Sequence, residues 1–566
     1  MNRDSDDPFQ LGSELLGALP VVNHFLSQVG LDRILAEHLG PADPRWRVSP
    51  AKALGVVIRN LVVDHRPVYA LGEWARPHAP AVLGLERDEA DGLNDDRVGR
   101  ALDVLFDSDR ASLLSRVVLR AITAFGIDCS QLHNDSTSIT FTGAYRDSGP
   151  ARGGRTAAKI THGYNKDHRP DLCQLVWILT VTADGAVPIA HRVESGNTTD
   201  DTTHIATWDH LAAMLGRTDF VYVADSKLCT RAQMDHIDGA GGRFVTVLPR
   251  TRREDRWFRD WLTRNQAPWT EAMRRPARRQ AEPPDVYSTY EPPTGSSEGH
   301  RIIWVRSTSK RDRDASRRAK QINRATAALE DLAHRLTGPK CRIKTRVAAI
   351  DAAQQTLADH DAARYFDIFV VEHVDKTYTA DHPGTPGPKT TFRQQTRLRF
   401  TLNWKARAHI IRDEAASDGC FPLITNDDHL NPAELLAAYK HQPHLERRHH
   451  LLKSAQSVAP VFLHNPARIE ALLTCQFVAL LIHALIERAV RTAIAERATG
   501  PINLYPEDRA CPAPSAPRLL TIFNNLTRHH LTCQDRIVQT FEPDLTSQQR
   551  DILALLGIPT SAYHPA

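Results

Sequence analysis

The sequence has few of the features that mark a secreted or zinc-binding protein. Its eight cysteines are scattered, and no CxxC or CxxH pair at zinc-binding spacing occurs among them. We therefore interpret them as free thiols in a reducing compartment. The first ten residues are polar and acidic, whereas a secretory signal needs a basic start and an apolar run. We expect a cytoplasmic protein.

Long hydrophobic runs and an excess of one charge are also missing. The most apolar stretch, residues 471–486, contains Thr474, Gln476 and His483 and is shorter than the ~20 residues that a membrane span requires. It predicts a buried core helix, and we expect no membrane association. The formal net charge is only +4, so any nucleic-acid surface must come from local clusters of arginine and lysine.

At 566 residues the chain is too long for one hydrophobic core. Residues 11–125 have apolar positions at three- and four-residue spacing and predict a helical domain, in which Asp95 and Asp96 cap one helix. Such a domain can bind DNA, but plain packing explains most of its residues. The predicted segments are a helical domain (1–125), the first part of an α/β core (126–249), an insertion domain (250–420), the last part of the core (421–498), and a proline-rich linker with a helical tail (499–566).

From residue 129 the pattern changes to short β-type runs separated by turn residues. Three antiparallel strands are predicted at 131–142, 172–182 and 186–193, followed by a helix at 202–215, a strand at 220–224, a helix at 231–237 and a strand at 243–248. The order βββαβαβ is that of an RNase H-like mixed sheet in the α/β class.

After Pro249 this alternation stops until about residue 420, and a structureless stretch of that length would be anomalous. An inserted domain is therefore predicted. It begins with a basic segment, residues 250–279, which contains ten arginines and four acidic residues. A helix is expected at 311–336, β-type runs at 365–373 and 398–404, and a loop at 381–389.

Two aspartates are candidates for a functional site. Asp135 lies within the first β-type run, where an aspartate is unfavourable, and Asp225 follows a buried strand, where α/β sheets place active-site groups. Both also have structural interpretations. Asp135 could be an edge-strand or capping residue, and Asp225 could be the N-cap of the next helix.

Glu446 is a third candidate. Pro443 suits the first turn of a helix, so a helix is predicted to begin there with Gln442 as its cap. At 3.6 residues per turn, Glu446, His450 and Lys453 share one face. An exposed helical glutamate is otherwise simply solvated. Combined with the two aspartates, it would supply the carboxylate oxygens that hard divalent metal ions prefer.

The chain resembles the insertion-sequence DDE transposases, which have a retroviral-integrase-like RNase H core. Their third motif reads Y-x2-R-x3-E-x6-K, and this sequence has Tyr439, Gln442, Glu446 and Lys453 at those spacings, with glutamine in place of arginine. Residues 162–172 and 196–200 are similar to the segments that this group has between its first two aspartates. The resemblance extends from about residue 90 to residue 490.

The resemblance implies a transposase in which Asp135, Asp225 and Glu446 bind two Mg²⁺ ions, with Mn²⁺ as a substitute. Water would cleave the ends of the element, and the freed 3′-hydroxyl would attack target DNA. The implied partners are double-stranded DNA, as terminal inverted repeats and as target, and further copies of the chain in a homodimer or synaptic assembly. The implied location is a bacterial cytoplasm, and segment 1–125 would bind the DNA ends.

The candidate DNA-binding residues are Tyr439, Gln442 and Lys453 around Glu446, Lys166 and Arg169 between the aspartates, and Arg250, Arg252, Arg253 and Trp257 in the basic segment. A run of charges is more often a solvated face than a phosphate-binding surface. The pair His449 and His450 can likewise be incidental. Two alternatives stay open: a metal-dependent nuclease of the same fold, and a catalytically inactive DNA-binding relic.

Overall fold

The computed structural model describes residues 9–41, 43, 45–143, 145, 151–152, 154–277, 282–338, 341–455, 463–497, 500–505, 507, 509–534 and 536–564. Residues 1–8 of the polar N-terminus and residues 499, 506 and 508 of the predicted linker lie outside this set. The chain divides into two compact units, Met1–Thr246 with Ala437–Ala566, and Val247–Leu436. The five segments predicted from the sequence stay a prediction.

The described part of the first 125 residues is mainly helical, as the apolar periodicity predicts. Its helices are α1 (Leu19–Val29), α2 (Leu31–Leu39), α3 (Pro50–Val63), α4 (Leu71–Ala75), α5 (Pro80–Leu83), α6 (Asp95–Asp107) and α7 (Arg110–Phe125). The predicted cap of α6 is wrong by one residue. Asn94 accepts the hydrogen bond of the Arg97 N–H, and Asp95 and Asp96 lie in the first turn.

The prediction of helix from residue 11 is wrong at its start, because Phe9–Leu15 forms strand β1. This strand pairs antiparallel with Thr527–Cys533 (β15), which also pairs with Arg536–Phe541 (β16). Ser13 and His529, which share a hydrogen bond of 2.8 Å, are 516 positions apart. A strand whose partner is so distant carries no local signal of its own.

The α/β part of the first unit has the predicted order βββαβαβ. Its elements are β2 (Gln131–Phe141), β3 (Cys173–Thr182), β4 (Pro188–Ser195), α8 (His204–Leu215), β5 (Val221–Val223), α9 (Arg231–Gly239) and β6 (Arg243–Val247). The strands lie in the order β4-β3-β2-β5-β6. The first three pair antiparallel, whereas β2, β5 and β6 are parallel, so this part of the sheet is mixed and β2 is the middle one of these five strands.

The rest of the first unit contains two helices around the third motif and a C-terminal segment. The elements are α15 (Gln442–His450), α16 (Pro466–Glu496), β13 (Ile502–Asn503), β14 (Ala510–Cys511), α17 (Ala516–Thr521), β15, β16 and α18 (Ser547–Leu555). The predicted helical tail is therefore only partly correct, since the segment contains a β-hairpin between helices α17 and α18. Helix α16 is long and apolar enough to cross a membrane, but 89% of its most apolar window is buried inside the structure, which is typical of a core helix.

The second unit combines a sheet, a long hairpin and helices. Its elements are α10 (Arg253–Leu262), β7 (Thr270–Arg275), β8 (Asp285–Tyr290), β9 (Arg301–Ser307), α11 (Thr308–Thr337), α12 (Arg346–Asp359), β10 (Phe366–Ala380), β11 (Phe392–Ala406), α13 (Ala408–Ala416), β12 (Cys420–Thr425) and the first part of α14 (Pro432–Tyr439), which from Ala437 onward belongs to the first unit. Helix α11 was predicted to within three residues, and the loop at 381–389 was predicted. The hairpin strands were predicted only in part, since β10 continues to residue 380 and β11 already begins at residue 392. Strands β7 to β9, which follow Pro249 closely, were not.

The hairpin of β10 and β11 packs on α11 and α12 through one apolar face. Leu329, Leu332, Leu357, Phe400 and Leu402 are among the buried residues of this core. The second unit thus has a hydrophobic core of its own, as expected for an inserted folding unit.

Candidate active site

The two aspartates of the predicted metal site lie just beyond the point where the parallel pairing of strands β2 and β5 ends. Strand β2 lies between β3 and β5, so the edge-strand interpretation of Asp135 is wrong. His133 on β2 is opposite Val223 on β5, and Asp135 and Asp225 each come two residues later. Both aspartates therefore belong to the edge of the sheet where α/β proteins place their active sites.

Each aspartate also makes a local hydrogen bond. Asp225 is the N-cap of the short turn Ser226–Leu228, and its Oδ1 accepts a hydrogen bond of 2.9 Å from the Lys227 N–H. Asp135 Oδ1 accepts one of 2.8 Å from the Ser136 N–H. Asp225 therefore caps a short 3-10 turn, whereas the N-cap of the next helix, α9, is Thr230. A carboxylate has about four acceptor sites, and a cap uses only one of them.

The electrostatics of Asp135 show how close the acidic groups are. Burial raises the pKa of Asp135 to about 6, and the negative charges of Asp225 and Asp200 act in the same direction, against the opposing effects of the Lys166 ammonium and the Ser136 N–H. Carboxylates that repel one another in a buried place need a cation to stay ionised together.

Helix α15 carries Glu446 to the same strand. The helix begins at Gln442 with His441 as its N-cap, so the predicted cap is wrong by one residue. Gln442 donates to the Asn134 carbonyl at 3.4 Å. His449 Nδ1 lies 3.9 Å from Asp135 Oδ2. Positions 442, 446 and 449 share one face of a helix, so the exposed Glu446 lies on the face turned towards residues 134 and 135 of β2.

The three predicted carboxylates act together on one hydroxyl group. Burial, followed by the charges of Asp225, Glu446 and Asp135, raises the pKa of Tyr439. Tyr439 is the first residue of the third motif and ends helix α14. The fold thus brings all three acids into the surroundings of a single tyrosine, although 221 positions separate Asp225 from Glu446 in the sequence.

A buried ion pair fixes α15 on the sheet. Arg448 donates to the carbonyls of Ala186 and Gly185 at 3.0 and 3.1 Å. Its guanidinium also lies 2.9 Å from Glu487 of α16, and the two side chains are only 5% and 7% exposed. Arg448, two positions after Glu446 on α15, therefore anchors the helix and so sets the position of the exposed Glu446.

Sequence reasoning missed the cluster around Lys166. The Lys166 ammonium lies 3.0 Å from Asp200 Oδ2 and 3.6 Å from Asp135 Oδ1, and it donates to the Ser136 carbonyl at 2.8 Å. Ser136 Oγ in turn donates to Asp200 Oδ1 at 2.5 Å. Lys166 was predicted only as a DNA contact. The segment 196–200 was noted in the sequence, but no chemistry was assigned to its aspartate.

Two other predicted DNA contacts, Lys453 and Arg169, are engaged in ion pairs. Lys453 Nζ lies 2.7 and 2.8 Å from the two oxygens of Asp167, in a π-helical turn that follows α15. Arg169 makes a two-pronged pair with Asp171 on the surface, at 2.8 and 2.7 Å. A phosphate could compete with either carboxylate, because both pairs are accessible to solvent.

The basic segment lies in the second unit. Arg252 pairs with Glu254 and Glu298 at 2.9 and 2.7 Å, and the hydrogen bond to Glu254, followed by the other contacts, raises its pKa. Arg250 and Arg253 are exposed, and Trp257 is 49% exposed. Arg252 is thus held by its own unit, whereas its neighbours are accessible.

Comparison with known proteins gives a partial match. Residues 12–119 match the family model of a domain of unknown function (DUF4277). No curated protein matches the sequence. One similar solved structure is a piggyBac transposase synaptic complex with hairpin DNA, at 11% identity and a TM-score of 0.25, over 50% of this chain and 61% of that chain. Another is a Mos1 transposase paired-end complex with the left transposon end, at 11% identity and a TM-score of 0.14, over 36% of this chain and 60% of that chain. At these scores neither likeness carries an argument about function.

The donor chemistry fits a divalent cation. Asp135 and Asp225 offer hard oxygen ligands at one edge of the sheet, and Asp135 already attracts an ammonium as its counter-ion. Among the residues that the structure describes, no group of three or more His, Cys, Asp and Glu side chains is arranged to hold a metal ion. Glu446 therefore faces β2, but in this arrangement it does not form a three-ligand group with Asp135 and Asp225.

Proposed function

We propose that this protein is a DDE-type DNA transposase, which cleaves the ends of an insertion sequence and joins them to target DNA in a metal-dependent reaction. The observation that carries the proposal is the placement of Asp135 and Asp225 at one edge of neighbouring parallel strands, with Glu446 presented towards the same edge. The motif spacing of Tyr439 and Lys453 around Glu446 adds support, and the order βββαβαβ favours an RNase H-like core.

Asp135, Asp225 and Glu446 are the residues that would bind two Mg²⁺ ions, or Mn²⁺ in their place. When bound, such ions activate an attacking oxygen and stabilise the leaving oxygen of a phosphodiester. Glu446 is exposed, so its side chain can change rotamer without disturbing packed neighbours. Its helix is meanwhile held by the buried anchor Arg448.

His449 has a supporting role in this scheme. Burial, and after it the charges of Lys166 and Lys453, lowers the pKa of His449 to about 3, so the imidazole is neutral. Its ring lies beside the Asp135 carboxylate and occupies space that water would otherwise fill.

The proposed partner is double-stranded DNA, both the inverted repeats of the element and the target, bound by a homodimer or synaptic assembly in a bacterial cytoplasm. Contacts near the acids would come from Tyr439, Gln442, Lys453, Lys166 and Arg169. Those from the second unit would come from Arg250, Arg252, Arg253 and Trp257. Arg250, Arg253 and Trp257 are the accessible members of that second group, and they could contact phosphates and stack on a base.

The test uses the full-length protein and duplex DNA that carries the inverted repeats flanking its gene. With Mg²⁺ present, we expect nicking at the repeat ends and joining of the freed 3′-ends to a plasmid. Asp225→Asn and Glu446→Gln should reduce both products to background, because each removes one charged oxygen ligand while keeping the side-chain size. Products are measured on denaturing gels.

Asp219→Asn is the matched control, since it removes an exposed carboxylate of the same unit, paired with Arg217, and should leave the yield unchanged. Cleavage without joining would identify a nuclease instead of a transposase. Unchanged cleavage by Asp225→Asn and Glu446→Gln would show that these residues are not the ligands.

A further inference from the structure

Lys166 is held inside the acidic site and does not lie on the surface around it. Its backbone N–H donates to Ser138 Oγ at 3.1 Å, which fixes the loop to β2. From there the side chain reaches three acceptors of Ser136 and Asp200 at 2.6 to 3.0 Å. The side chain is 31% exposed, so the ammonium has exchanged most of its water for these oxygens.

The contacts of the ammonium are unequal. Asp135 Oδ1 lies at 3.6 Å, which is an ion pair without a short hydrogen bond, whereas Asp200 Oδ2 lies at 3.0 Å and Ser136 Oγ at 2.6 Å. Lys166 can therefore lose its interaction with Asp135 and keep its other partners. Burial alone would lower the pKa of Lys166, but the charges of Asp135 and Asp200 reverse this effect and raise it.

We propose that Lys166 is a resident cation of the acidic site: its ammonium occupies the place beside Asp135 that a divalent cation needs, and it withdraws onto Asp200 and Ser136 when that cation binds. This inference rests on the proposed function. Lys166 is then a positioning residue that balances the charge of the Asp135 carboxylate in the metal-free protein. It also weakens metal binding, because the ammonium and a divalent cation beside the same carboxylate repel each other strongly in a partly buried place. Asp200 serves as the second support of the ammonium.

The proposal is tested by titrating the full-length protein with Mn²⁺ and recording the electron paramagnetic resonance signal of the free ion. Lys166→Met removes the charge and should tighten Mn²⁺ binding at least about tenfold. Lys166→Gln, which also removes the charge but keeps a donor for Ser136 and Asp200, should give the same gain and serves where the methionine variant does not fold. Lys166→Arg should retain the wild-type affinity.

Lys159→Met is the matched control, because it removes an exposed lysine of the same unit and should not change Mn²⁺ affinity. Unchanged or weaker binding by both Lys166→Met and Lys166→Gln overturns the proposal. Asp135→Asn separates the two ideas. If it abolishes Mn²⁺ binding while the Lys166 variants show no gain, only the role of Lys166 is wrong. If it has no effect, the bound ion is not at Asp135, and the proposed metal site is wrong as well.

Discussion

The imidazole of His191 on β4 stacks against the Trp177 ring, with 4.5 Å between the ring centroids. The centroid of the Phe477 ring, on α16, lies 4.7 Å away. Both of its ring nitrogens are buried without a hydrogen-bond partner. Burial, and after it the charges of Arg110 and His210, lowers the pKa of His191 to about 3. The folded protein therefore keeps this histidine neutral at pH values where the unfolded chain protonates it.

The sign of the resulting pH dependence follows from this difference. Between the unfolded pKa of about 6.5 and the folded value of about 3, the unfolded chain binds one proton more, so the free energy of unfolding falls as the pH falls. We expect His191→Leu to reduce this slope by up to about 1.4 kcal/mol per pH unit. Urea denaturation at pH 7, 6 and 5 measures it.

His162→Leu, at an exposed position, is the control and should leave the slope unchanged. An identical slope for His191→Leu and the wild type would mean that His191 is not held neutral by burial.

Single residues also show what the sequence could and could not predict about the site. Asp135 and Asp225 were found because each stands at a place in a strand pattern where an aspartate is unexpected. Asp200 was missed as a partner of Lys166, because their contact needs two loops, 162–172 and 196–203, to converge over β2. No local pattern encodes such a convergence, which depends on the pairing of β2, β3 and β4.

At the level of elements, predictability follows the local hydrophobic signal. Strands β2 to β6 were located to within about two residues. Strand β3 is an almost continuous apolar run, as expected for a strand buried in a central sheet, and turn residues between the strands mark the limits of the others. Strand β7 has the sequence TEAMRR, which offers no apolar alternation, and it was missed. The start of α15 was predicted because Pro443 restricts the backbone in a way that favours the first turn.

Helices α15 and α16 are joined by the buried ion pair of Arg448 and Glu487. Glu487→Gln leaves the Arg448 guanidinium buried without its counter-charge, and breaking a buried pair in this way costs about 3–5 kcal/mol. We expect a loss of this size in the free energy of unfolding, measured by urea denaturation. Since Arg448 anchors the helix of Glu446, the proposed DNA cleavage should weaken as well.

Two further variants make this test specific. Arg448→Met with Glu487→Met removes both charges and should recover much of the loss, because neither charge is then left buried alone. Asp171→Asn breaks the exposed pair with Arg169 and should leave the denaturation midpoint unchanged. A double variant no more stable than Glu487→Gln would show that packing, and not charge, holds the joint.

At the scale of the whole molecule, the sequence predicted an interruption of the core by an inserted segment, but it gave no sign that the two chain ends meet. Residues 11–15 were assigned to helix because their neighbours have helical periodicity, and the strand that pairs with them lies more than 500 positions later. Contacts between distant segments depend on the completed fold. The apolar length of α16 likewise says only that the helix is buried, and its neighbours are known only from the structure.

Tyr563, close to the C-terminus, ties the end of the chain to its beginning. Its side chain is fully buried, stacks on Phe523 at 5.7 Å, and donates a hydrogen bond of 3.0 Å to the Gly17 carbonyl, which follows β1. Tyr563→Ala should lower the free energy of unfolding by about 3–5 kcal/mol, as for other large buried aromatics. Tyr563→Phe loses only the hydrogen bond and should cost about 1–3 kcal/mol, because the Gly17 carbonyl is left without this donor. If the contact of Tyr563 with Gly17 supports β1, limited proteolysis should cleave Tyr563→Ala within residues 9–16 faster than it cleaves the wild type. Equal cleavage rates would show that β1 is held by its pairing with β15 alone.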